Sequence, residues 1–254
     1  MICLTCDGST LISSEEHIIP ESLGNSLYVL KKGIVCRDCN NRFSKFEDKA
    51  IYNSYLSFIR IQNGVKTKKK KPSAVKIGSF EAHGIDEYTK DVMFMKKYED
   101  NITKFHEDSD KIDLLIENFD KSEMATAKML LKIGFESLFK SQKRILNKYS
   151  FSELKDYLNN VSNKDWPFIT SHKVLYPFKS IPTFGDKNNL NRIKCYLRFY
   201  EKDETTLLFD FQYDYFNLSI NLLHRTFDWS SIYFENDTST SLYPRHLKRP
   251  LYLS

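Results

Sequence analysis

Long apolar runs, internal repeats and cysteines are scarce in this chain. No apolar run approaches the ~20 residues that a membrane-spanning helix needs, so we expect no membrane partner. The absence of an internal repeat excludes a solenoid. Only five cysteines are present and no signal peptide precedes the first, which predicts a cytoplasmic protein with reduced thiols. With 254 residues, 41% of them hydrophobic, the chain can still bury a sizeable core.

Four of the five cysteines form two CxxC pairs, Cys3 with Cys6 and Cys36 with Cys39. A CxxC turn lets two thiolates reach one ion at about 2.3 Å, so the two pairs supply the four ligands of a structural zinc site. Two disulfides or a thioredoxin-like redox pair would use the same residues. The early position of the first pair and the lack of a signal peptide favour zinc. Cys195 lies alone in an apolar stretch and is predicted to be a buried small hydrophobe.

The 29 residues between the two pairs contain the sequence Glu-Glu-His-Ile-Ile-Pro at positions 15–20. Its pattern predicts a short strand that ends at Pro20, because proline has no amide hydrogen with which to continue a ladder. Adjacent residues of a strand point to opposite faces, so Glu16 and His17 are expected on opposite sides. We expect the side chain of Glu15 to face solvent, although it could exchange roles with Glu16.

A helix is predicted directly after the second cysteine pair. Its apolar residues recur with helical spacing at Phe43, Phe46, Ala50 and Ile51. Asn40 precedes them, and we place it at the N-cap, where asparagine is favoured. The acidic pair Glu47-Asp48 is expected on the solvated face of this helix.

Three of these side chains suit the metal-dependent hydrolysis of a phosphodiester. The pKa of a free histidine, about 6.5, suits proton acceptance from water, so His17 is the candidate general base. The Glu16 carboxylate and the Asn40 amide oxygen form a minimal cage for one Mg²⁺ or Mn²⁺ ion. Each residue also has a simpler interpretation: His17 as a core histidine or zinc ligand, Glu16 as a surface acid, and Asn40 as a helix cap.

Taken together, these residues resemble the HNH, or ββα-metal, endonuclease family. The resemblance covers roughly residues 1–50 and is closest to a zinc-stabilised branch with the pattern CxxC, EHIIPxxLG and CxxCN. It implies that His17 is the general base, that Glu16 and Asn40 bind the catalytic divalent ion, and that the cysteines hold structural zinc. The middle asparagine of the family is missing just before the second CxxC. Asn25 is the candidate substitute, and its expected role is to orient the loop.

The resemblance further implies hydrolysis of DNA in a bacterial defence (antiviral), restriction or mobile-element setting. Two alternatives use the same residues. One is a zinc module that binds nucleic acid or protein without cutting, in which the Glu-His pair is vestigial. The other is an RNase with the same metal centre.

The positive charge of the chain is concentrated in its N-terminal part. Residues 1–71 contain 12 Lys and Arg against 7 Asp and Glu, whereas residues 72–254 contain 26 of each. This excess favours a polyanionic partner. We predict that Arg42 and Lys45 hold the scissile strand by its phosphates, with plain surface charge as the alternative. Much of the excess positive charge comes from a predicted basic linker that contains Lys66, Lys68, Lys69, Lys70 and Lys71.

The predicted fold class is α+β. A zinc-bound ββα module at 1–60 is followed by the linker at 61–74 and by a larger mixed α+β domain at 75–254. That domain is expected to contain a long helix at 122–149 and a C-terminal antiparallel meander of strands near 193–200, 205–213 and 215–223. The lysines of the helix are expected on a solvated face, with contact to nucleic acid as the alternative. The larger domain carries no motif that names its role, so recognition of the target, binding of a partner protein and homodimer formation all remain open.

Overall fold

The structure is a computed structural model that describes residues 2–52, 54–67, 69–85, 93–109, 111–116, 122–181, 193 and 195–248. Within these ranges the protein is mixed α+β, with a cluster of four cysteines near the N-terminus, as predicted. Lys68 of the predicted basic run lies outside the described residues. Among the described residues, no helix combines the length and the apolar character needed to cross a bilayer.

Helices and strands alternate in blocks along the chain. The helices are α1 (Arg37–Tyr52), α2 (Tyr55–Gln62), α3 (Glu123–Ser141), α4 (Lys143–Lys148), α5 (Ser152–Leu158) and α6 (Ser231–Asn236). The strands are β1 (Glu16–His17), β2 (Val29–Leu30), β3 (Ala74–Ile77), β4 (Phe80–His83), β5 (Phe94–Lys97), β6 (Ile102–His106), β7 (Lys111–Leu114), β8 (Phe168–Ser171), β9 (Lys179–Ile181), β10 (Cys195–Glu201), β11 (Leu207–Tyr213), β12 (Phe216–Asn221) and β13 (Ser241–Tyr243).

The N-terminal segment consists of a short hairpin and a helix. Strands β1 and β2 pair antiparallel, with Glu16 opposite Leu30 and His17 opposite Val29. The loop between them turns through Gly24, whose φ of 87° lies in the left-handed region that glycine adopts at no steric cost. Helix α1 begins directly after Cys36 rather than at Asn40. The backbone N–H of Asn40 already donates to the Cys36 carbonyl at 3.0 Å, so the N-cap placement predicted for this residue is wrong.

Helix α3 runs through the middle of the protein. Every residue from Thr126 to Leu138 is buried, because α1 packs on one side and a six-stranded sheet on the other. Gly134 allows the close approach to the sheet. A Cβ at that position would lie 2.8 Å from Leu222 Cδ2 and 3.0 Å from the ring of Phe209. This part of the helix is therefore packed against neighbouring elements on all sides.

The six-stranded sheet has the order β13-β8-β12-β11-β10-β9, and all of its neighbouring strands are antiparallel. Three consecutive strands, β10, β11 and β12, form its centre. Cys195 on β10 is fully buried, which confirms its prediction as a small core residue. Burial also raises the pKa of its thiol well above the ordinary value.

One hydrophobic core joins the N-terminal segment to the rest of the described chain. Ile18 and Phe43 belong to the same buried cluster as Leu130 and Phe209. The Tyr213 hydroxyl adds a polar link to the N-terminal loop by donating to the carbonyl of Leu23 at 2.9 Å. The division of the chain at residues 60 and 74 stays a prediction. The core described above contains residues up to Ile59 and from Ala127 onward, whereas Ile61 and Val75 belong to a second, smaller cluster.

Candidate active site and zinc centre

The four paired cysteines lie together at the N-terminus. All five cysteines are free thiols, and the Sγ atoms of the four paired residues lie within 4.8 Å of one another. Two of them, in Cys6 and Cys36, are 3.7 Å apart. Thiolates bound tetrahedrally at about 2.3 Å from one ion would be about 3.8 Å apart, so the sulfur atoms fit a zinc site. The donor set, four thiolates, is the one that closed structural zinc sites use.

A hydrogen bond within this cluster favours negative charge on the sulfur of Cys3. The Cys39 thiol donates to Cys3, and this lowers the pKa of Cys3 to about 4 although burial opposes the shift. The same interaction, together with burial, raises the pKa of Cys39. Arg42 Nη2 donates to Cys39 Sγ at 3.2 Å and places a cation beside the cluster. A zinc ion bound among these four sulfur atoms would displace the thiol protons and stabilise the thiolates.

The loop between β1 and β2 is organised by the side chain of Asn25. Its Oδ1 accepts from the backbone N–H groups of Leu27 and Tyr28 at 3.1 and 2.8 Å. Its Nδ2 donates to the carbonyls of Ile19 and Tyr28 at 2.7 and 3.0 Å. Asn25 is 1% exposed, so all four bonds are protected from solvent competition. These hydrogen bonds hold the backbone of the loop in one conformation, which is the role predicted for Asn25 from the sequence.

Asn40 lies beside the strand that carries the Glu-His pair. It is the fourth residue of α1, and its Nδ2 donates to Ser14 Oγ at 3.0 Å and to the Glu15 carbonyl at 3.4 Å. With Nδ2 directed at these acceptors, Oδ1 is the amide atom left for a further ligand. The structure thus brings Asn40 to the residues that immediately precede β1.

His17 is partly buried on β1. Its Nδ1 is buried and has no hydrogen-bond partner within the described part of the chain. Since Nδ1 does not reach solvent, Nε2 is the ring nitrogen through which His17 can exchange a proton with water. The two faces of the strand differ as predicted, because the neighbouring Glu16 side chain points into the protein interior.

Glu16 makes a buried ion pair with a lysine from the distant helix α3. Its Oε1 lies 2.6 Å from Nζ of Lys132, and both residues are almost completely shielded from solvent. Its other oxygen, Oε2, is buried and has no hydrogen-bond partner among the described residues. The carboxylate predicted to bind the catalytic ion is thus already in contact with a cation of the protein itself.

Lys132 is the centre of a buried charge cluster. Its Nζ lies 2.9 Å from Glu47 Oε1 of α1 and 3.2 Å from Glu136 Oε2 of α3. It also donates to the main-chain carbonyls of His17 and Ile18, the latter at 3.3 Å. An ammonium group has three hydrogens, so it cannot serve all of these acceptors. The contacts with Glu47 and Glu136 are ion pairs without well-aligned hydrogen bonds.

The charges in this cluster do not cancel. Burial alone lowers the pKa of Lys132, but Glu136, Glu16 and Glu47 outweigh burial and the pKa is raised. Burial raises the pKa of Glu47 and that of Glu136, and the attraction of Lys132 offsets this only in part. Because one ammonium faces three carboxyl groups, the cluster holds protons at pH values where a free glutamate has lost its own. Lys132 is therefore a permanent cation that ties β1 to α3.

Arg42 and Lys45 lie on a different side of α1 from Asn40. A helix turns about 100° per residue, which places them about 200° and 140° around the axis from Asn40. Arg42 is occupied by Cys39 and by the carbonyl of Asn159, to which its Nη1 donates at 3.4 Å. Lys45 is exposed. The structure does not bring these two residues to the Glu-His strand.

The cysteine cluster, the hairpin and the whole of α1 lie within the first 52 residues. Residues 1–56 match the HNH endonuclease family model. The match confirms the resemblance and covers 56 of the 254 residues. Residues 1–56, called the HNH segment below, indicate a nuclease and therefore a nucleic-acid substrate. The cysteine cluster within them indicates a zinc site. No curated protein and no solved structure matches the chain.

The charge cluster behind β1 was not predicted from the sequence. Lys132 and Lys128 of α3 were expected on a solvated face, but they are 0% and 5% exposed. Glu47 was also expected to face solvent, but it is buried against Lys132. A usable signal was present: Lys132 and Glu136 are four residues apart in a stretch that is otherwise apolar on all sides, where an unpaired charge would be very costly.

Proposed function

We propose that this protein is a metal-dependent HNH endonuclease that hydrolyses DNA phosphodiester bonds within a ββα-metal module. The observation that carries the proposal is the position of Asn40. Its amide is hydrogen-bonded directly before the Glu-His strand, inside the segment that matches the HNH family. The resemblance adds a bacterial defence, restriction or mobile-element setting, and the remainder of the chain is proposed to recognise the target or a partner.

His17 acts as the general base. A water molecule attacks the phosphorus, its proton passes to Nε2 of His17, the bond from phosphorus to the 3′ oxygen breaks, and the 3′ oxygen takes a proton from solvent water. The products are a 5′-phosphate and a 3′-hydroxyl. The main chain of His17 is held in place by Lys132, which donates to its carbonyl. This anchor keeps the imidazole at one position relative to α1 and α3.

One divalent ion, Mg²⁺ or Mn²⁺, is proposed to bind between Glu16 and Asn40. When bound, it supplies a positive charge that stabilises the negative charge developing on the phosphate and the leaving oxygen. The amide oxygen of Asn40 fits this role, because its nitrogen is already committed to Ser14 and Glu15. Glu16 fits through Oε2, the oxygen that Lys132 does not contact.

The surroundings of Glu16 also favour a second candidate for the carboxylate ligand. Glu15 is exposed, and its carbonyl accepts the hydrogen bond from Asn40. On an extended chain Glu15 and His17 share one face, whereas Glu16 points to the other. In this variant of the proposal, Glu15 binds the ion and Glu16 holds β1 in place through Lys132.

The test is cleavage of supercoiled plasmid with Mg²⁺ or Mn²⁺, run beside a zinc measurement on the same preparation. We expect nicked or linear product from the wild-type chain and a loss of at least 100-fold in rate for His17→Ala, the lower end of what a general base contributes. His172→Ala is the matched control, since His172 is exposed and lies directly after β8, outside the segment that matches the HNH family. A zinc-loaded protein that never cuts, or a His17→Ala protein that cuts normally, would refute the mechanism.

Two further comparisons complete the test. Glu15→Gln and Glu16→Gln separate the two candidate ligands, because the variant that lacks the true ligand requires a higher metal concentration for cleavage. A labelled single-stranded RNA run in parallel tests the RNase alternative. Binding to nucleic acid without cleavage of either substrate would favour the non-cleaving zinc module.

A further inference from the structure

A groove between α1 and α3 is lined by positive charge. Its volume is about 410 Å³, and its walls include Arg42, Lys45 and Lys49 from α1, Lys128 from α3, and Asn160 after α5. Among the described residues that line it, none is a carboxylate. A concave surface that carries four cations concentrates positive potential, because the low-dielectric walls focus the field.

The lysines of α1 that face this groove are available to a ligand. Lys45 and Lys49 are exposed, and neither forms an ion pair within the described ranges. They are four residues apart, so they lie one above the other on the same side of the helix. Two like charges at this spacing repel each other, and a bound anion would relieve the repulsion.

The side chains at the floor of the groove are fixed in place by burial and by hydrogen bonds. Lys128 is 5% exposed, its Nζ donates to Asn160 Oδ1, and it lies 4.8 Å from the centre of the Tyr157 ring. Burial and the nearby charge of Arg42 both lower the pKa of Lys128. Arg42 presents a further donor, Nε, which is buried and has no acceptor among the described residues. Both cations are held in position: Lys128 makes its described polar contact with the neutral Asn160, and Arg42 is held by Cys39 and by the carbonyl of Asn159.

The groove lies away from the candidate catalytic residues. Lys45 and Lys49 are about 140° and 180° around α1 from Asn40 at 100° per residue. Since a helix with its side chains is about 10–12 Å across, a phosphate in the groove is not the one beside Asn40. An anion that reaches both places must therefore be extended.

We propose that this groove binds the phosphodiester backbone of a nucleic acid at a point remote from the scissile bond. The identity of the anion rests on the proposed nuclease function, whereas the groove itself rests on the charges and positions described above. The contact is to backbone phosphate, so it strengthens binding without reading sequence. It also joins α3, which lies outside the HNH segment, to α1 in holding the substrate.

The experiment measures binding of a labelled DNA duplex by fluorescence anisotropy as a function of salt. All proteins are full-length and carry His17→Ala, so that the probe is not cut. The test variant adds Lys45→Gln and Lys49→Gln. The control adds Lys96→Gln and Lys97→Gln instead, two exposed lysines of β5 outside the groove, so the change in net charge is the same. Zinc content and circular dichroism verify that the variants are folded.

The slope of log K against log salt is negative. Loss of two phosphate contacts makes it shallower by about 1.8 for duplex DNA and about 1.4 for single strands. We expect that change in the groove variant but not in the control, with affinity about tenfold lower at 0.15 M salt. A parallel arm with single-stranded RNA shows which backbone the groove prefers. Equal slopes and affinities in the two variants, with both probes, would overturn the proposal.

Cleavage by the chain with His17 intact is scored separately. If the slope changes but the protein never cleaves, the proposed binding groove is supported and the proposed nuclease function is refuted. If the protein cleaves but the slope does not change, the nuclease function is supported and the binding groove is refuted.

Discussion

Replacement of Lys132 by methionine tests the buried ionic link between the HNH segment and the rest of the chain. Methionine keeps most of the volume of the side chain but removes the ammonium that Glu16, Glu47 and Glu136 share. It also removes the hydrogen bonds to the carbonyls of His17 and Ile18. The substitution leaves buried carboxyl groups without a counter-ion, which is a costly arrangement.

The expected loss of unfolding free energy is about 3–5 kcal/mol, the usual cost of removing one partner from a buried ion pair. For a chain of this size that corresponds to a fall in melting temperature of roughly 10 °C. Lys143→Met is the matched control. Lys143 begins α4 directly after α3 and is exposed, so its replacement should change stability by about 0.5 kcal/mol or less.

The loss should depend on pH in a defined direction. Without the ammonium, the pKa values of Glu47 and Glu136, which burial already raises, rise further. The folded state then binds more protons than the unfolded state between the ordinary glutamate pKa, about 4.3, and the raised values. Stability therefore falls as pH rises through this window, so the deficit of Lys132→Met is smallest near pH 4.5 and largest at neutral pH and above.

Guanidinium unfolding at pH 4.5 and 7.5 measures both quantities. Adding Glu136→Gln to Lys132→Met should restore part of the stability at pH 7.5 and little at pH 4.5, since glutamine is neutral at both. A Lys132→Met protein as stable as the wild type at pH 7.5, or a deficit that does not change with pH, would refute the assignment of Lys132 as the shared partner of the three carboxyl groups.

Two other predictions concern the core and the zinc centre. Gly134→Ala should lower the unfolding free energy by about 1–2 kcal/mol in spite of the better helix propensity of alanine, because its Cβ would meet Leu222. In a double-mutant cycle Leu222→Val should recover part of this loss, and strict additivity would contradict the contact. Cys39→Ser should lose the bound zinc, measured by plasma emission on purified protein, whereas Cys195→Ala should retain one ion per chain. Equal zinc content in the two variants would rule out the tetrad as the site.

Some features followed from the sequence because they depend only on neighbours in the chain. A CxxC turn presents two sulfurs to one ion whatever surrounds it, so the spacing of Cys3, Cys6, Cys36 and Cys39 was sufficient to predict the cluster. The strand β1 and the helix α1 were also predicted by local rules, although β1 ends at His17 and α1 begins at Arg37, before Cys39. The role of Asn25 was accessible for the same reason, since all its partners lie within six residues.

The side chains that surround the candidate site could not be predicted from local sequence patterns. Lys132 lies 116 positions after Glu16, and its burial depends on which faces of α1, α3 and the sheet meet. Helical spacing alone cannot separate a solvated row of lysines from a buried one. The basic groove has the same origin, since Lys128 joins Lys45 and Lys49 only when α3 packs beside α1. The sequence by itself determined which side chains are candidate ligands and reacting groups, because these depend on residue type and spacing. The packing of distant elements decided which charges are buried, paired or exposed.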